Sequence, residues 1–340
     1  MPTSKRPEPN VPSRETTPSP TFHAGERRER LAARREERRA ARLLAPTLFL
    51  DPPPPLGEDT MWRGLLRDGE MRILVARTTA AVGEAAARLG CSADSGRLVA
   101  ELVTGALLVR STINPEERLQ LFVQGDGAAG QLVCDVWAEG GMRASLQRAE
   151  ATVADHGPLI GHGTAQFVRH GRRGGTYRST MAVAGDESDE LLMRYLLESE
   201  QILSLIHIDV AMDGPRVAAA VGYLVQVMPH GEHRDLRRLV ANLKGLEPLR
   251  RGMTGDDPDG RAWAARLLDG FRWDQCARES VAFQCRCSRE RMMAMLMTLQ
   301  REELALMATE GEGVDTVCDY CRTTWRISAP ELAQMAERPS

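Results

Sequence analysis

The spacing of apolar positions along this chain changes period several times, and each change marks an element. MRILVAR (71–77) is an apolar run bracketed by polar residues and predicts a strand. TTAAVGEAAARLG (78–90) predicts a helix stopped by Gly90, and SGRLVAELVTGALLVRSTI (95–113) a second, strongly apolar one. RLQLFVQ (118–124) and QLVCDVWAE (131–139) alternate like strands, and Gly125, Asp126, Gly127 and Gly130 between them predict a hairpin. TAQFVRH (164–170) and TYRSTMAV (176–183) form a second hairpin around Gly171, Gly174 and Gly175. DESDELLMRYLLESEQ (186–201) opens with capping residues and repeats Leu and Tyr at helical spacing. ILSLIHIDVAM (202–212) and VAAAVGYLVQVMP (217–229) are two more strands, the second ended by Pro229. Strands interleaved with a few helices predict an α+β core domain of mixed strands over 61–230.

The pattern then weakens. Residues 231–280 are helical in spacing but polar, broken at Gly245, Pro248, Gly252 and GDDPDG (255–260), and read as a metastable helical linker without a firm core of its own. Residues 281–328 form a small cysteine-bearing module, and 329–340 a tail. At the other end, 1–60 is a basic extension. Its first 25 residues are rich in Pro, Ser and Thr and predict disorder; ERRERLAARREERRAARL (26–43) predicts an exposed helix of Glu–Arg pairs; DPPPP (51–55) is a stiff spacer.

Charge sharpens this division. Residues 1–42 carry 11 Lys+Arg against 6 Asp+Glu, whereas the rest carries 33 against 41, so the body of the chain is acidic. That balance, with little aromatic–basic interleaving, argues against nucleic acid as a partner. No apolar run approaches the ~20 residues of a membrane span, and the N-terminus lacks the apolar core of a secretory signal. The expectation is a cytoplasmic, reducing location, where clustered cysteines favour metal binding or redox sensing over structural disulfides. There is no Walker loop and no convincing catalytic set, so an enzyme is not expected; the seven histidines are scattered.

Four of the seven cysteines lie in the module. Cys285 and Cys287 form C-x-C, Cys318 and Cys321 form C-x-x-C, and together they can complete a tetrahedral zinc site. Cys91, Cys134 and Cys276 are isolated, and Cys134 reads as a small apolar strand residue. SRERMMAMLMTLQREELALMATEG (288–311) predicts two short helices with Ser288 as N-cap, its methionines serving as core filler, and TTWRI (323–327) a short strand. A module of about fifty residues has a marginal core. Structural zinc contributes roughly 10–16 kcal/mol of apparent binding energy, so zinc is expected to decide whether the module folds. Arg286, Arg289, Arg291 and Arg322 flank the ligands, either lowering thiol pKa values or as surface residues.

On these residues the C-terminal segment resembles the redox switch of the HslO family, the bacterial redox-regulated heat-shock chaperone. CRCSRER (285–291) and CDYC (318–321) match that family's C-x-C-S-x-E/K-R and C-x-F/Y-C at its spacing; Phe283 and TLQREEL (298–304) also fit. Upstream, LQLFVQGDGAAGQLV (119–133), LIGHGTAQFVR (159–169), Ser199-Glu200-Gln201 and VGYLVQVMP (221–229) resemble family motifs in the right order. GMRASLQRAE (141–150) and Arg322, where a glycine often follows the last cysteine, depart from the pattern. The resemblance implies an ATP-independent holdase that binds zinc when reduced. It further implies that oxidation forms disulfides Cys285–Cys287 and Cys318–Cys321, releases zinc, unfolds module and linker, and exposes apolar surface to unfolding client proteins, with a homodimer as an oxidised state. The alternatives are a zinc-ribbon nucleic-acid binder, a thiol–disulfide oxidoreductase using Cys318 and Cys321, and a redox sensor that regulates one partner without general holdase activity.

Overall fold

The computed structural model describes residues 59–66, 71–137, 139–171, 175–228, 233–253 and 259–337. The expectations for 1–58, for Gly174 and Pro229, and for residues 255–258 of the GDDPDG break lie outside the described residues. In chain order the core begins with β1 (Thr60–Leu66), β2 (Met71–Arg77), α1 (Thr79–Leu89) and α2 (Ala93–Arg110). Next come β3 (Arg118–Gly125), β4 (Gln131–Val136), β5 (Gly141–Leu146), α3 (Val153–His156), β6 (His162–His170) and β7 (Thr176–Ala184). The core closes with α4 (Ser188–Glu198), β8 (Ser204–Asp213) and β9 (Arg216–Val227).

These strands form two sheets. One has the order β10-β1-β2-β9-β8, where β10 (Trp273–Ser280) arrives from far along the chain. The other has the order β11-β5-β4-β3-β6-β7, where β11 is the two-residue strand Ala282–Phe283. α2 contacts strands of both sheets. Every residue from Leu98 to Arg110 except Glu101 is buried, because a strongly apolar helix in contact with both sheets finds partners on nearly every side. Ser92 caps it, accepting a hydrogen bond from Ser95 N. α1 ends as expected at Gly90, whose φ of 73° lets its N–H reach back to the carbonyls of Ala86 and Ala87.

The glycines of QGDG do more than turn the chain. A Cβ on Gly125 would sit 2.0 Å from Ile160 O, and one on Gly127 2.5 Å from Leu159 O, so backbone packs on backbone there. Glu200 of the SEQ triplet accepts hydrogen bonds from Tyr195 Oη at 2.5 Å and Arg169 Nη1 at 3.0 Å. The triplet is thus a polar corner that ties α4 to β6.

The segment 231–280 departs from a uniformly helical reading. It holds α5 (His233–Lys244), α6 (Leu249–Gly252) and α7 (Arg261–Leu267), but its last residues form β10, antiparallel to β1. WDQCARES has no apolar period because an edge strand is held by backbone hydrogen bonds, and its side chains need not be buried. The three helices bury Leu239, Leu249, Met253, Trp263 and Leu267 against the outer face of the first sheet, at Trp62, Ile73, Val75, Tyr223 and Val225. The linker therefore shares a core with the sheet. β1 and β5 also lacked a sequence signal: β1 is buried except at Arg63 and Leu65, so its apolar residues do not alternate cleanly, and it is interrupted by Gly64, while β5 is short.

Beyond β11 come α8 (Arg289–Leu296), α9 (Arg301–Thr309), β12 (Val314–Val317), β13 (Thr324–Ile327) and α10 (Ala329–Glu337). β12 and β13 pair antiparallel. Residues 329–337 are not a loose tail: Leu332 and Met335 join Leu296, Leu304 and Ile327 in the module's small core. The methionine expectation fails for Met295 and Met297, which are exposed, because so small a core covers only one side of α8.

Candidate metal centre

β11 docks the module onto the core sheet. It pairs in parallel with Gly141 and Met142 of β5, and Gln284 N donates to Met142 O at 2.8 Å. Two glycines permit the approach: a Cβ on Gly140 would lie 2.0 Å from Ser280 O, and one on Gly141 2.3 Å from Gln284 Oε1. The segment that departs from the family pattern in sequence is therefore the one the module lands on.

Cys285 and Cys287 follow between β11 and the Ser288 cap of α8, where Ser288 Oγ accepts from Arg291 N at 3.3 Å. In extended chain, residues i and i+2 share a face, so one intervening residue suffices to aim both thiols together. Cys318 and Cys321 lie in the tight turn between β12 and β13. Arg322 N donates to Cys318 O at 2.9 Å and Cys318 N to Thr323 O at 3.0 Å. The turn requires a left-handed residue, and Arg322 takes it with φ 58°.

The four sulfurs lie within 4.8 Å of one another. Cys285 Sγ is 3.7 Å from Cys318 Sγ, and Cys287 Sγ is 3.4 Å from Cys321 Sγ. Four sulfurs at about 2.3 Å from a tetrahedral zinc would stand about 3.8 Å apart, so the donor set and its spacing fit a metal ion. All four are free thiols; Cys318 and Cys321 are buried, Cys285 and Cys287 half-buried. Burial first, and then neighbouring thiols, push the Cys287 thiol up; burial likewise raises Cys318. For Cys321 burial also raises the pKa but is outweighed by hydrogen bonding to Thr323, whose Oγ1 is 3.2 Å away, and to the other cysteines, giving about 7.

The arginines nearest in sequence are engaged elsewhere. Arg289 makes a two-pronged ion pair with Glu331 at 2.8 Å, holding α8 to α10. Arg291 donates to Arg286 O, and Arg286 lies over the Trp137 ring at 4.4 Å and pairs with Glu139 at 3.4 Å. The guanidinium that reaches the cluster is Arg143 of β5, 3.9 Å from Cys285 Sγ and 3.7 Å above the Tyr320 ring. It is held by Asp135, which is fully buried and also binds Arg118, at 2.7 and 2.6 Å respectively. Arg88 of α1 adds a contact to Cys321 O at 3.5 Å and covers Phe283 at 5.1 Å. No spacing in the sequence pointed to Arg143, Asp135 or Arg88, which meet the cysteines only through the fold.

The Hsp33 protein family profile matches residues 59–328. A protein named 33 kDa chaperonin from Thermus thermophilus is 33% identical over 297 residues, covering 80% of this chain and 85% of its own. Its namesake in Syntrophotalea carbinolica is 30% identical over 284 residues, covering 81% and 98%. The crystal structure of a 33 kDa chaperonin (heat shock protein 33 homolog) from Thermotoga maritima superposes with a TM-score of 0.73, at 24% identity, covering 82% of this chain and 98% of that one. Family profile, relatives and fold agree, and the chain belongs to the Hsp33 family.

Proposed function

We propose that this chain is a redox-regulated, ATP-independent holdase whose four cysteines Cys285, Cys287, Cys318 and Cys321 bind one zinc ion when reduced. The observation that carries this reading is the joining of a four-thiol cluster to the six-stranded sheet through β11, directly after the linker whose helices cover the five-stranded sheet. Bound zinc would supply roughly 10–16 kcal/mol to a module whose own core is a handful of side chains. Whole domains are stable by only about 5–15 kcal/mol, so module folding depends on the thiolates.

Oxidation by hydrogen peroxide, one molecule per pair, converts each cysteine pair, in the expected pairing Cys285–Cys287 and Cys318–Cys321, to one disulfide. Two thiols lose two electrons and two protons, and the peroxide becomes two waters. A disulfide leaves no thiolate to hold metal. The module then loosens, β11 leaves β5, and the linker helices lose their anchor. The apolar face formed by Trp62, Ile73, Val75, Tyr223 and Val225 is uncovered and holds unfolding proteins. Nucleic-acid binding is disfavoured because Arg143, Arg286 and Arg289 already pair with carboxylates.

The test measures zinc content and suppression of aggregation of a heat-unfolded client, before and after peroxide at mild heat. One zinc lost per chain together with gained suppression is expected. Retained zinc with no suppression refutes the reading.

A further inference from the structure

We infer that the edge of β1, uncovered when β10 leaves, is a docking strand for extended segments of unfolded polypeptide, bound by main-chain pairing. This rests on the holdase reading above and specifies how the client is gripped. β10 pairs with β1 from Thr60↔Ser280 to Leu66↔Trp273, with one irregularity at Arg63/Gly64. None of its side chains is buried: they alternate half-buried and exposed along WDQCARES. Trp273, stacked on Trp62 at 5.7 Å, is its one large apolar group. β10 is therefore held mainly by the ladder, which is the kind of hold another extended chain can replace.

The two strands differ as edges. Natural sheet edges are guarded by charge and polarity. β10 carries Asp274, Arg278 and Glu279, whereas β1 is TMWRGLL, with Arg63 as its single charge and every residue but Arg63 and Leu65 buried. β10 thus serves as the guard of a sheet whose next strand has little guard of its own. Both its ends attach to the parts that loosen on oxidation: it follows the linker helix α7 and continues through Val281 into β11 and Cys285. Once it detaches, β1 presents unpaired N–H and C=O groups beside the apolar face that the linker has left. Pairing through the main chain is indifferent to client sequence, and side chains on one face of the incoming strand lie against that apolar surface.

Val281 N donates to Asp59 O at 2.9 Å, so antiparallel alternation directs the Met61 and Arg63 N–H groups toward β10. The test is residue-resolved hydrogen exchange on the full chain in three states: zinc-bound and reduced, oxidised, and oxidised with a reduced, carboxymethylated lactalbumin as the permanently unfolded client. Suppression of aggregation of a heat-unfolded client is measured with the same chaperone preparations in each redox state. The Met61 and Arg63 amides are expected to exchange at least about tenfold faster on oxidation and to slow again about tenfold with client bound. The Trp62 amide, facing β2, stays slow throughout. If Met61 and Arg63 remain slow on oxidation, or stay fast while client is held and aggregation suppressed, the edge is not the docking strand although the holdase reading stands. If no suppression occurs in any state, the holdase reading falls and this inference with it.

Discussion

Replacing Arg322 by glycine should strengthen the metal centre. Arg322 is exposed and sits at φ 58° in the turn that presents Cys318 and Cys321. An L-residue in the left-handed region costs roughly 1–2 kcal/mol, and glycine avoids this. Glycine also gains freedom in the unfolded chain, which returns about 0.5–1 kcal/mol of that advantage. The net expected stabilisation of the folded module is about 0.5–1 kcal/mol, or roughly two- to fivefold in its folding constant. If the metal-free module is unfolded, that factor appears directly in zinc affinity. The assay is competition with a chromogenic chelator at pH 7 on wild type and Arg322→Gly, followed by the rate of peroxide-driven zinc release. The variant should require two- to fivefold more chelator and release zinc more slowly. Equal or weaker retention would refute the argument that this turn is strained by its arginine.

Three further outcomes are expected. Trp263→Ala removes a buried side chain that packs on Tyr223 and donates to Glu247 O, a loss of about 3–5 kcal/mol. The linker should then open in the reduced protein, seen as faster proteolysis within 245–270 with zinc still bound. Arg143→Met leaves Asp135 with Arg118 alone and strips the cover from Tyr320, so the module docks about 1–3 kcal/mol more weakly; peroxide should oxidise the cysteines faster, with Arg143→Lys intermediate, and unchanged oxidation rates would speak against the contact. Glu101, raised by burial from 4.5 to about 7, favours its protonated form when folded. Its stabilising contribution is full below about pH 4.5 and lost as pH rises through about 7; Glu101→Gln should flatten that part of the pH profile in urea unfolding at pH 5, 6, 7 and 8.

Local pattern was enough for most of the elements and for the cysteine pairs. The apolar run at 71–77, the strongly apolar helix before Arg110 and the two glycine-containing hairpins each carry their own period, and Cys285, Cys287, Cys318 and Cys321 announce themselves by spacing. β10 did not, because an edge strand is defined by the neighbour it pairs with, and WDQCARES has no apolar face to betray it. For the same reason the linker's polar helices looked unsupported: their few apolar residues find their partners on the outer face of a sheet formed by distant strands.

The sequence by itself determined the family motifs, the α+β character and the four thiols capable of meeting on one ion, since these depend on residue type and local period. Only the tertiary structure decided that the thiols do meet. It also decided that the charge beside them comes from Arg143 and Asp135 and not from the neighbouring arginines, and that the chain between core and module is a strand closing the sheet edge. Ion pairs and strand pairing join residues far apart in the chain, and no short-range pattern encodes them.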